Sequence, residues 1–486
     1  MSQIRVTVLG AGPGGYVAAI RAAQLGAQVT IIEQDNLGGT CLNWGCIPTK
    51  TLKATAEALE LTRRFPSLGI VVEGSIRPDM ALVQRRRAEV ISLLANGVRA
   101  ILKSYRIRVV EGTGTILDPH RVEVTAGADK SEIIVADKLI VATGSRPLEL
   151  PGLPFDGRYI LSSDQALLLT EIPERLLILG GGVVGCEFGY IFQEFGAQVT
   201  IVEAMDRLIP LPSVDENSAK ILAREMKKRK VELLLGRTVD QAEVTAQGRV
   251  KVTLGPSAIE LRGKEPGNQT LEVDQVLVTV GRAGHGDSYG IPELGLDRDS
   301  RGWIMSDDHL RTNVPDVFAV GDVLGPAKIM LAHVATTEGL VAAENALGGD
   351  STMRYDVVPA AIFTSPEMAD VGLTEKQAVQ AGFDTQAHAF PFRALGKSQA
   401  MGDIAGEARI VSETKSGQIL GVHLIGPHAS DIIHEGALAI RLGATVFDLA
   451  STIHAHPTLS EALSECAHLA TGQPIHLPKP GPGARN

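Results

Sequence analysis

The sequence predicts an α/β protein in which one strand–turn–helix–strand unit occurs twice and a C-terminal α+β region follows. The first observation is a set of three glycines and one glutamate that recurs at a constant offset. These positions are Gly10, Gly12, Gly15 and Glu33 in the first copy and Gly180, Gly182, Gly185 and Glu203 in the second. The second observation is a change beyond Asn345 to alternating strand patterns, as in residues 407–411 and 420–425, which indicates a different kind of domain.

Both copies have the same order of elements. In the first, residues 4–9 are typical of a buried strand, an alanine-rich helix ends near Leu25, and residues 27–32 are typical of a second strand. In the second copy, a strand begins at Leu176, a helix follows the glycine turn, and residues 197–202 form the next strand. The chain therefore carries the same unit twice.

Each of the three glycines that recur in the two copies has a physical role. The first permits a tight turn, the second lets the backbone approach a pyrophosphate, and the third lets the helix pack closely on the strand. The helix N-terminus then offers unpaired N–H groups to phosphates. The glutamate that ends the second strand can accept hydrogen bonds from a ribose hydroxyl. Both copies are therefore predicted to be Rossmann-like dinucleotide-binding domains.

The acid of the second copy also predicts which dinucleotide binds there. A carboxylate at Glu203 would repel a 2′-phosphate, so this site should prefer NAD over NADP. Comparable turnover with NADPH and NADH would contradict this prediction.

The segments between and after the two units are less regular. Residues 138–147 read as a strand that ends in a Gly-Ser turn, and residues 274–280 repeat that ending before Gly281. Prolines after residue 146 indicate a domain boundary. Helices are predicted near residues 430–443 and 459–470, and the Pro- and Gly-rich segment from Gln473 onward is expected to be extended or mobile.

Two of the four cysteines, Cys41 and Cys46, lie close together in the chain. A disulfide requires Cα atoms no more than about 7 Å apart, whereas five steps of α-helix rise roughly 7.5 Å. A bridge would therefore need a loop or a distorted turn, which Gly45 and Pro48 would suit. Spacing alone leaves a redox pair and two inert buried thiols equally open.

Composition excludes several classes of protein. A net charge of −10 and 4% aromatic residues argue against a nucleic-acid-binding surface. No apolar run approaches the ~20 residues of a membrane span, and four cysteines in 486 residues do not suit a disulfide-rich secreted scaffold. The N-terminus enters a strand almost at once, so we expect no signal peptide and a cytoplasmic enzyme. No metal ligands are expected.

From Ile4 to about Gly472 the sequence resembles the pyridine nucleotide–disulfide oxidoreductases. The resemblance lies in residues 39–50, the Ala-Thr-Gly-Ser run at residues 142–145, the second glycine turn with Glu187, the run ending at Asp322, and residues 454–461. It implies homodimers with shared active sites and the following domains: 1–149 binding FAD, 150–280 binding NAD, 281–350 completing the FAD site, 351–472 forming the dimer interface, and 473–486 as a flexible tail.

The resemblance also implies the cofactor contacts. FAD would be bound by Gly10, Gly12, Gly14, Gly15, Glu33, Gly39, Thr40, Lys50, Gly114, Thr143, Gly144, Ser145, Asp322, Met330, Leu331, Ala332 and His333. NAD would be bound by Gly180, Gly182, Gly185, Glu187, Glu203, Val239 and Gly281. The assignment of Gly114 to the FAD site has weaker support, because residues 112–114 form only a short match and could simply be a turn.

The resemblance further implies a redox-active disulfide with distinct roles for its members. Cys41 would exchange with the substrate and Cys46 would face the flavin, while a Lys50 ammonium would stabilise the reduced flavin. His456 would act as the base and Glu461 would orient it. On sequence alone His454 could equally be the base, and Glu461 could instead close a capping box that starts at Thr458. Cys186 and Cys466 are expected to be packing residues.

Within the family, the signatures favour members that oxidise protein-bound dihydrolipoamide with NAD⁺. The partner would be a lipoylated acyltransferase of a 2-oxoacid dehydrogenase complex or the carrier protein of the glycine cleavage system. The alternatives are a glutathione- or mercuric-reductase-like enzyme and a non-catalytic flavoprotein redox sensor. One departure is the run Ala283-Gly284-His285-Gly286, where family members commonly have a residue, then Pro and Asn.

Overall fold

The computed structural model describes residues 3–127, 130–259 and 267–478 of the 486-residue chain. The strands of the two units and their insertions are β1 (Arg5–Leu9), β2 (Gln28–Glu33), β3 (Arg108–Glu111), β4 (Thr113–Asp118), β5 (Arg121–Thr125), β6 (Ser131–Val135), β7 (Lys138–Val141), β8 (Ser145–Pro147), β9 (Ile160–Leu161), β10 (Arg175–Leu179), β11 (Gln198–Glu203), β12 (Glu232–Leu235), β13 (Arg237–Val244), β14 (Val250–Pro256), β15 (Gln269–Val273) and β16 (Gln275–Val278). The later strands are β17 (Arg282–Gly284), β18 (Val317–Ala319), β19 (Ala360–Ile362), β20 (Glu367–Gly372), β21 (Thr385–Pro391), β22 (Glu407–Glu413) and β23 (Ile419–Gly426).

The α-helices are α1 (Pro13–Gln24), α2 (Gly39–Asn43), α3 (Cys46–Arg64), α4 (Met80–Ser104), α5 (Ser163–Ala166), α6 (Val183–Phe195), α7 (Glu216–Lys228), α8 (Ile291–Leu294), α9 (Ala332–Ala346), α10 (Glu375–Gln380), α11 (Gly396–Met401), α12 (Ala429–Arg441), α13 (Val446–Ser451) and α14 (Glu461–Ala470). Short 3₁₀ turns cover Phe65–Leu68, Gly321–Leu324, Pro326–Lys328 and Phe392–Ala394.

Each repeated unit forms a five-stranded parallel sheet. The first has the order β18-β7-β1-β2-β3 and the second β12-β11-β10-β16-β9. The central strands are almost wholly buried because helices cover both faces, as parallel sheets require. A three-stranded antiparallel sheet is inserted at the same place in each unit, β4-β5-β6 in the first and β13-β14-β15 in the second. The predicted duplication is confirmed.

The C-terminal region is an antiparallel sheet of order β19-β20-β23-β22-β21 with helices on it. Residues 420–425 were expected to alternate, but all of β23 is buried. The reason is its position at the centre of the sheet, between β20 and β22, where both of its faces are covered. The α/β fold with two parallel sheets and a C-terminal α+β region is as predicted.

The predicted tail, residues 473–486, is described only as far as residue 478. Its described part is held in place: His476 Nδ1 lies 2.7 Å from Glu465 Oε1, and Leu477 packs on the C-terminal core. These two contacts connect the described part of the tail to the C-terminal region, and the expectation of an extended or mobile tail stays a prediction. Residues 479–486 lie outside the described residues.

In the part of the chain that the structure describes, no helix is both long enough and apolar enough to cross a membrane.

Candidate functional site

The two cysteines lie on either side of a break between two helices. Cys41 belongs to α2, and Cys46 is the first residue of α3. Between them, Trp44 ends the first helix and Gly45 takes a non-helical conformation with φ −146° and ψ −107°. This is the distorted turn that the spacing requires. Both cysteines are free thiols in the structure, which therefore describes the reduced pair.

The two thiols are hydrogen-bonded to one another and ionise very differently. The hydrogen bond from Cys41 lowers the pKa of Cys46 to about 7; burial opposes this effect and the Lys50 ammonium supports it. The same hydrogen bond, together with burial, raises the pKa of Cys41. Cys46 is therefore the member of the reduced pair that ionises, through the pH range around 7, while Cys41 stays protonated.

One turn along α3, Lys50 connects the cysteine pair to the second nucleotide unit. Its Nζ donates to both carboxylate oxygens of Glu187 on α6, at 3.0 and 2.9 Å. Glu187 also accepts a hydrogen bond from the Phe363 backbone N–H at 3.0 Å, and the Lys50 ammonium lies 4.2 Å from the centre of the Phe363 ring. Phe363 was not predicted, because no sequence motif marks it.

The first glycine turn matches the geometry that a pyrophosphate needs. Gly10 has φ +102°, and a Cβ there would overlap the Ala142 carbonyl, so the turn requires glycine. A Cβ on Gly12 would meet no atom within 4 Å, so the backbone at that point faces open space. Gly12 also caps α1, and no side chain occupies the helix N-terminus.

The second turn repeats this arrangement. Gly180 has φ +107° against the Thr279 carbonyl, and Gly182 again has no atom within 4 Å of an added Cβ. Gly185 lies so close to Gly180 that a side chain could not fit there. The N-terminus of α6 follows without a side-chain cap. The structure thus offers two equivalent N-terminal helix sites for phosphate groups.

The two strand-ending glutamates are held by the turns themselves. Glu33 accepts from the N–H of Ala11 at 2.7 Å and of Asp35 at 2.9 Å. Glu203 accepts from the N–H of Gly181 at 2.6 Å and of Met205 at 2.8 Å. Burial raises the pKa of Glu33 against the opposing effect of these N–H groups. Both carboxylates therefore lie at the carboxyl ends of their strands, where a ribose would bind.

Several other residues predicted to bind FAD lie together just beyond the carboxyl end of β7 in the first sheet. Ser145 Oγ donates to Asp322 at 2.7 Å, and Arg282 Nε donates to the same Ser145 oxygen at 2.6 Å. The hydroxyl of Thr143 is buried and has no hydrogen-bond partner among the described residues. An unpaired buried hydroxyl beside an open glycine turn fits a polar ligand such as FAD.

Other residues predicted to bind FAD lie around the first glycine turn, and each makes a different kind of contact. A Cβ on Gly39 would come within 2.6 Å of the Gly12 Cα, which places α2 directly against the first turn. Thr40 Cγ2 lies 3.4 Å from an added Cβ on Gly45, and Gly144 has φ +72°. Gly14 packs against Val320 and the Ala335 carbonyl.

Residues 330–333 lead into the start of α9, where Leu331 caps the helix without using a side chain. Met330 and Ala332 flank that cap, and His333 Nε2 lies 2.8 Å from the Pro359 carbonyl oxygen. Burial lowers the pKa of His333, against the effect of that carbonyl. The free N–H groups of this helix start are a third donor group.

Gly114, Val239 and Gly281 occupy different kinds of position. Gly114 is not in a turn: it lies in β4 opposite Val124, and an added Cβ would come 2.5 Å from Leu9 Cδ1. It therefore lets β4 pack on the first sheet. Val239 is a half-buried residue of β13 next to a bulge, and Gly281 has φ +142° at the end of the second sheet.

The unusual run at residues 283–286 is a packed element. Strand β17 pairs with β8, and Arg146 Nη1 donates to the Gly284 carbonyl at 3.0 Å. A Cβ on Gly284 would come 2.5 Å from Trp303 Cε3, while His285 contacts the Tyr289 ring edge-on at 5.5 Å. The glycine is therefore required by its aromatic neighbour.

The predicted acid–base pair is formed. His456 Nδ1 lies 2.9 Å from Glu461 Oε1, and the His456 side chain is 76% exposed. Burial raises the pKa of Glu461, but the Thr458 N–H and His456 outweigh that effect and hold it below its usual value. The alternative, a capping box, is half formed: the Thr458 N–H donates to Glu461 Oε2 at 2.8 Å, but Thr458 Oγ1 donates to the Ala455 carbonyl and Ser460 caps α14 without its side chain.

His454, the alternative candidate for the base, already has hydrogen-bond partners. Its Nε2 lies 2.8 Å from Glu435 Oε1, its Nδ1 lies 2.9 Å from the Thr452 carbonyl oxygen, and its side chain is 8% exposed. Both ring nitrogens thus have partners within the chain. The exposed ring of His456 is better placed to meet a substrate or another subunit.

The sequence reasoning missed one buried group at the predicted FAD site. Glu338 on α9 is 1% exposed and accepts hydrogen bonds from the Gly321 N–H and the Tyr355 hydroxyl, both at 2.7 Å. The only available signal was an acid in the middle of an alanine-rich helix that also carries Glu344 near its end. In the described residues no cluster of His, Cys, Asp and Glu could hold a metal ion.

Comparisons with known proteins agree with this geometry. A family model described as "Pyridine nucleotide-disulphide oxidoreductase" matches residues 4–339, and its dimerisation domain matches residues 358–467. A dihydrolipoyl dehydrogenase of Geobacillus stearothermophilus is 43% identical over 476 residues, covering 98% of each chain.

Two solved structures are similar over the whole chain. The crystal structure of LpdA from Mycobacterium tuberculosis has a TM-score of 0.87 at 29% identity, covering 96% of this chain and 99% of that one. The HOCl-induced flavoprotein disulfide reductase RclA from Escherichia coli has a TM-score of 0.82 at 28% identity, with 96% and 99% coverage.

Proposed function

The chain belongs to the pyridine nucleotide-disulphide oxidoreductases and is an FAD- and NAD-dependent enzyme of that family, and we propose that its site residues oxidise protein-bound dihydrolipoamide. The observation that carries the proposal is the continuous arrangement from Cys41 and Cys46 through Lys50 to Glu187, which lies on α6, the helix that follows the second glycine turn. The sister reductases and the redox sensor are not favoured, because the similarity to a dihydrolipoyl dehydrogenase extends over the whole chain.

FAD fits the first unit. The open turn at Gly12, the unpaired hydroxyl of Thr143 and the carboxylates of Glu33 and Asp322 would hold it. When bound, FAD would supply two-electron transfer between a dithiol–disulfide pair and a nicotinamide. NAD would occupy the second turn at Gly182, with Glu203 on its adenosine ribose.

The cysteines perform the exchange with substrate. With the pair oxidised, a thiolate of the reduced lipoyl group attacks the Cys41 sulfur, and the Cys41–Cys46 bond breaks to leave Cys46 as a thiolate. The second lipoyl thiolate then displaces the Cys41 sulfur, which takes up a proton. The lipoyl group leaves as a disulfide, and the protein is left with a Cys41 thiol and a Cys46 thiolate, the ionisation that the two pKa shifts favour.

His456 and Lys50 handle charge around this exchange. The free Nε2 side of His456 would accept the proton of the attacking dithiol, while Glu461 fixes the ring and stabilises its protonated form. Lys50, oriented by Glu187, places a positive charge beside Cys46 and at the FAD site.

The family's dimerisation domain supports a homodimer, and we propose that each active site combines the cysteines of one subunit with His456 of the other. Exposed apolar side chains on α12, α13 and the segment before His456 support this arrangement. They are Leu438, Leu442, Phe447 and Ile453, of which Ile453 is 96% exposed. The macromolecular partner is proposed to be a lipoylated carrier protein. The expected cytoplasmic location stays a prediction, as do the domain boundaries.

Anaerobic titration with NADH tests the proposal. Two-electron reduction should produce a long-wavelength absorption band from the Cys46 thiolate beside the flavin. Bleaching of the flavin without that band would contradict the redox role of the pair. Turnover with free dihydrolipoamide and NAD⁺, compared with glutathione disulfide and NADPH, tests the substrate class.

A further inference from the structure

Glu338 is a buried carboxyl group that the proposed reaction does not use. It lies in the middle of α9 and is 1% exposed. In the described part of the chain its hydrogen bonds come from the Gly321 N–H and the Tyr355 hydroxyl, and none of the ion pairs includes it. Burying a carboxyl without a cationic partner is costly, so the group is expected to have a specific task.

The role of Glu338 is indicated by its hydrogen bond from the Gly321 N–H. Gly321 has φ +76° and is followed directly by Asp322, whose carboxylate accepts from Ser145 and faces Arg282 at 3.7 Å. The N–H that Glu338 binds therefore belongs to the turn that sets the position of Asp322. A Cβ on Gly321 would contact Ala335 of α9 at 3.4 Å, so the turn rests on the same helix.

We propose that Glu338, itself held by Tyr355, is a positioning residue of the FAD site that fixes the Gly321–Asp322 turn and acts on the cofactor through Asp322. The inference rests on the proposed FAD site and adds to it a residue outside the family motifs quoted above. The N–H of Gly321 donates to this buried carboxyl group, so removal of the acceptor would leave a partly buried donor unpaired.

Glu338 also couples this turn to pH. Burial raises its pKa to about 7, against the effect of the Tyr355 hydroxyl and the Gly321 N–H; Asp322 raises it further and Lys328 lowers it. The carboxyl is thus protonated below about pH 7 and ionised above it. Ionisation adds a negative charge near Asp322 and near the phosphates that FAD would bring, so FAD affinity should fall as pH rises through this range.

The test is the rate of FAD release from diluted holoenzyme, followed by the fluorescence of free FAD. Glu338→Ala leaves the Gly321 N–H unpaired and should speed release about tenfold or more. Glu338→Gln keeps an acceptor for Gly321 and a donor for Tyr355, so it should restore slow release but remove the acceleration above neutral pH. Tyr355→Phe, which keeps the ring, should give an intermediate rate.

Glu344→Ala is the matched control, because Glu344 lies on the same helix and pairs with Arg21 and Ser351 away from the turn. It should release FAD at the wild-type rate. Equal release rates in Glu338→Ala and wild type would overturn the inference, as would a Glu338→Gln enzyme that keeps the pH step. If Glu338→Ala does not fold, the FAD release rates of Glu338→Gln and Tyr355→Phe still test the inference. A wild-type protein that binds no FAD would instead refute the proposed function.

Discussion

Individual residues make the cysteine pair asymmetric. Cys46 begins α3 and receives the hydrogen bond from Cys41, so it is the thiol of the reduced pair whose pKa is lowered, to about 7. Lys50 stabilises the charge of its thiolate form because it is only one turn away and is oriented by Glu187. The assignment of Cys46 to the flavin side and Cys41 to the substrate side remains a prediction that this asymmetry supports.

The first prediction concerns the absorption of the two-electron-reduced enzyme. The pKa of Cys46 is lowered to about 7, so the thiolate is present above that pH and is lost as pH falls through it. The long-wavelength band should weaken accordingly in a spectrophotometric pH titration. Cys41→Ser, which cannot form the disulfide, should show the band without added reductant because its Cys46 thiolate lies beside oxidised flavin, and Cys46→Ser should show none; a band in Cys46→Ser would reverse the assignment.

The second prediction concerns His456. Replacing it with Gln should lower dihydrolipoamide turnover by roughly two to four orders of magnitude, because general base catalysis is lost, while FAD stays bound. Steady-state rates and the flavin spectrum measure the two effects separately. His428→Gln is a suitable control, since His428 is also exposed and beside an acid, Asp431. Near-normal turnover of His456→Gln would remove it from the mechanism.

At this scale the sequence predicted residues that belong to short motifs and missed those that act through the fold. Cys41, Cys46, His456 and Glu461 were identified by their spacing and family resemblance. Glu338 and Phe363 come from segments distant in the chain, and their partners are determined only by tertiary packing. The alternative reading of Glu461 as part of a capping box is only half met, because Glu461 accepts from the Thr458 N–H while the Thr458 hydroxyl donates to the Ala455 carbonyl.

Among the elements, the two glycine turns were the most predictable feature. Their backbone requirements are local, so the same sequence pattern forced the same geometry twice. Helix α3 was less predictable in its role. Besides Cys46 and Lys50 at its start, it carries Lys53, which pairs with Glu367 at 2.8 Å, and Glu60, which pairs with Arg229. It thus connects the cysteine pair to both other regions.

The third prediction tests the second turn. A side chain at Gly182 would enter the open space in front of α6, so Gly182→Val should weaken NADH binding about tenfold or more. FAD content and the reduction of the pair by dihydrolipoamide should stay unchanged. Equilibrium titration with NADH measures the effect. Gly97→Ala in α4, where an added Cβ also meets no atom within 4 Å, should bind NADH normally; unchanged NADH binding in Gly182→Val would argue against this site.

For the whole molecule, the dominant question is how His456 reaches the cysteines. The dyad is exposed on the C-terminal region, and apolar residues near it are exposed as well. The proposed homodimer would cover these residues and would bring His456 of one chain to the Cys41 of another. The sequence could indicate this only by family resemblance, because contacts between subunits leave no periodic pattern within one chain.

The fourth prediction is a subunit-mixing experiment. His456→Gln and Cys41→Ser homodimers should each be inactive with dihydrolipoamide. Dissociating and reassociating an equal mixture should recover about a quarter of wild-type activity, since half of the dimers are mixed and each has one intact site. Activity and dimer content would be measured on the same sample. No recovery, with mixed dimers demonstrated, would place both residues of a site in one chain.

The strand order of the first sheet has a consequence for how the protein is made. Its edge strand β18 and the helix α9 that packs on α1 follow the second unit in the chain, while the second sheet uses only residues 160–278. During synthesis the second unit can therefore close as soon as it emerges, whereas the first must wait for some two hundred further residues after β7. Of the two repeated units, the one translated first is completed second, so its buried strand β7 lacks its neighbour β18 for longer on the nascent chain.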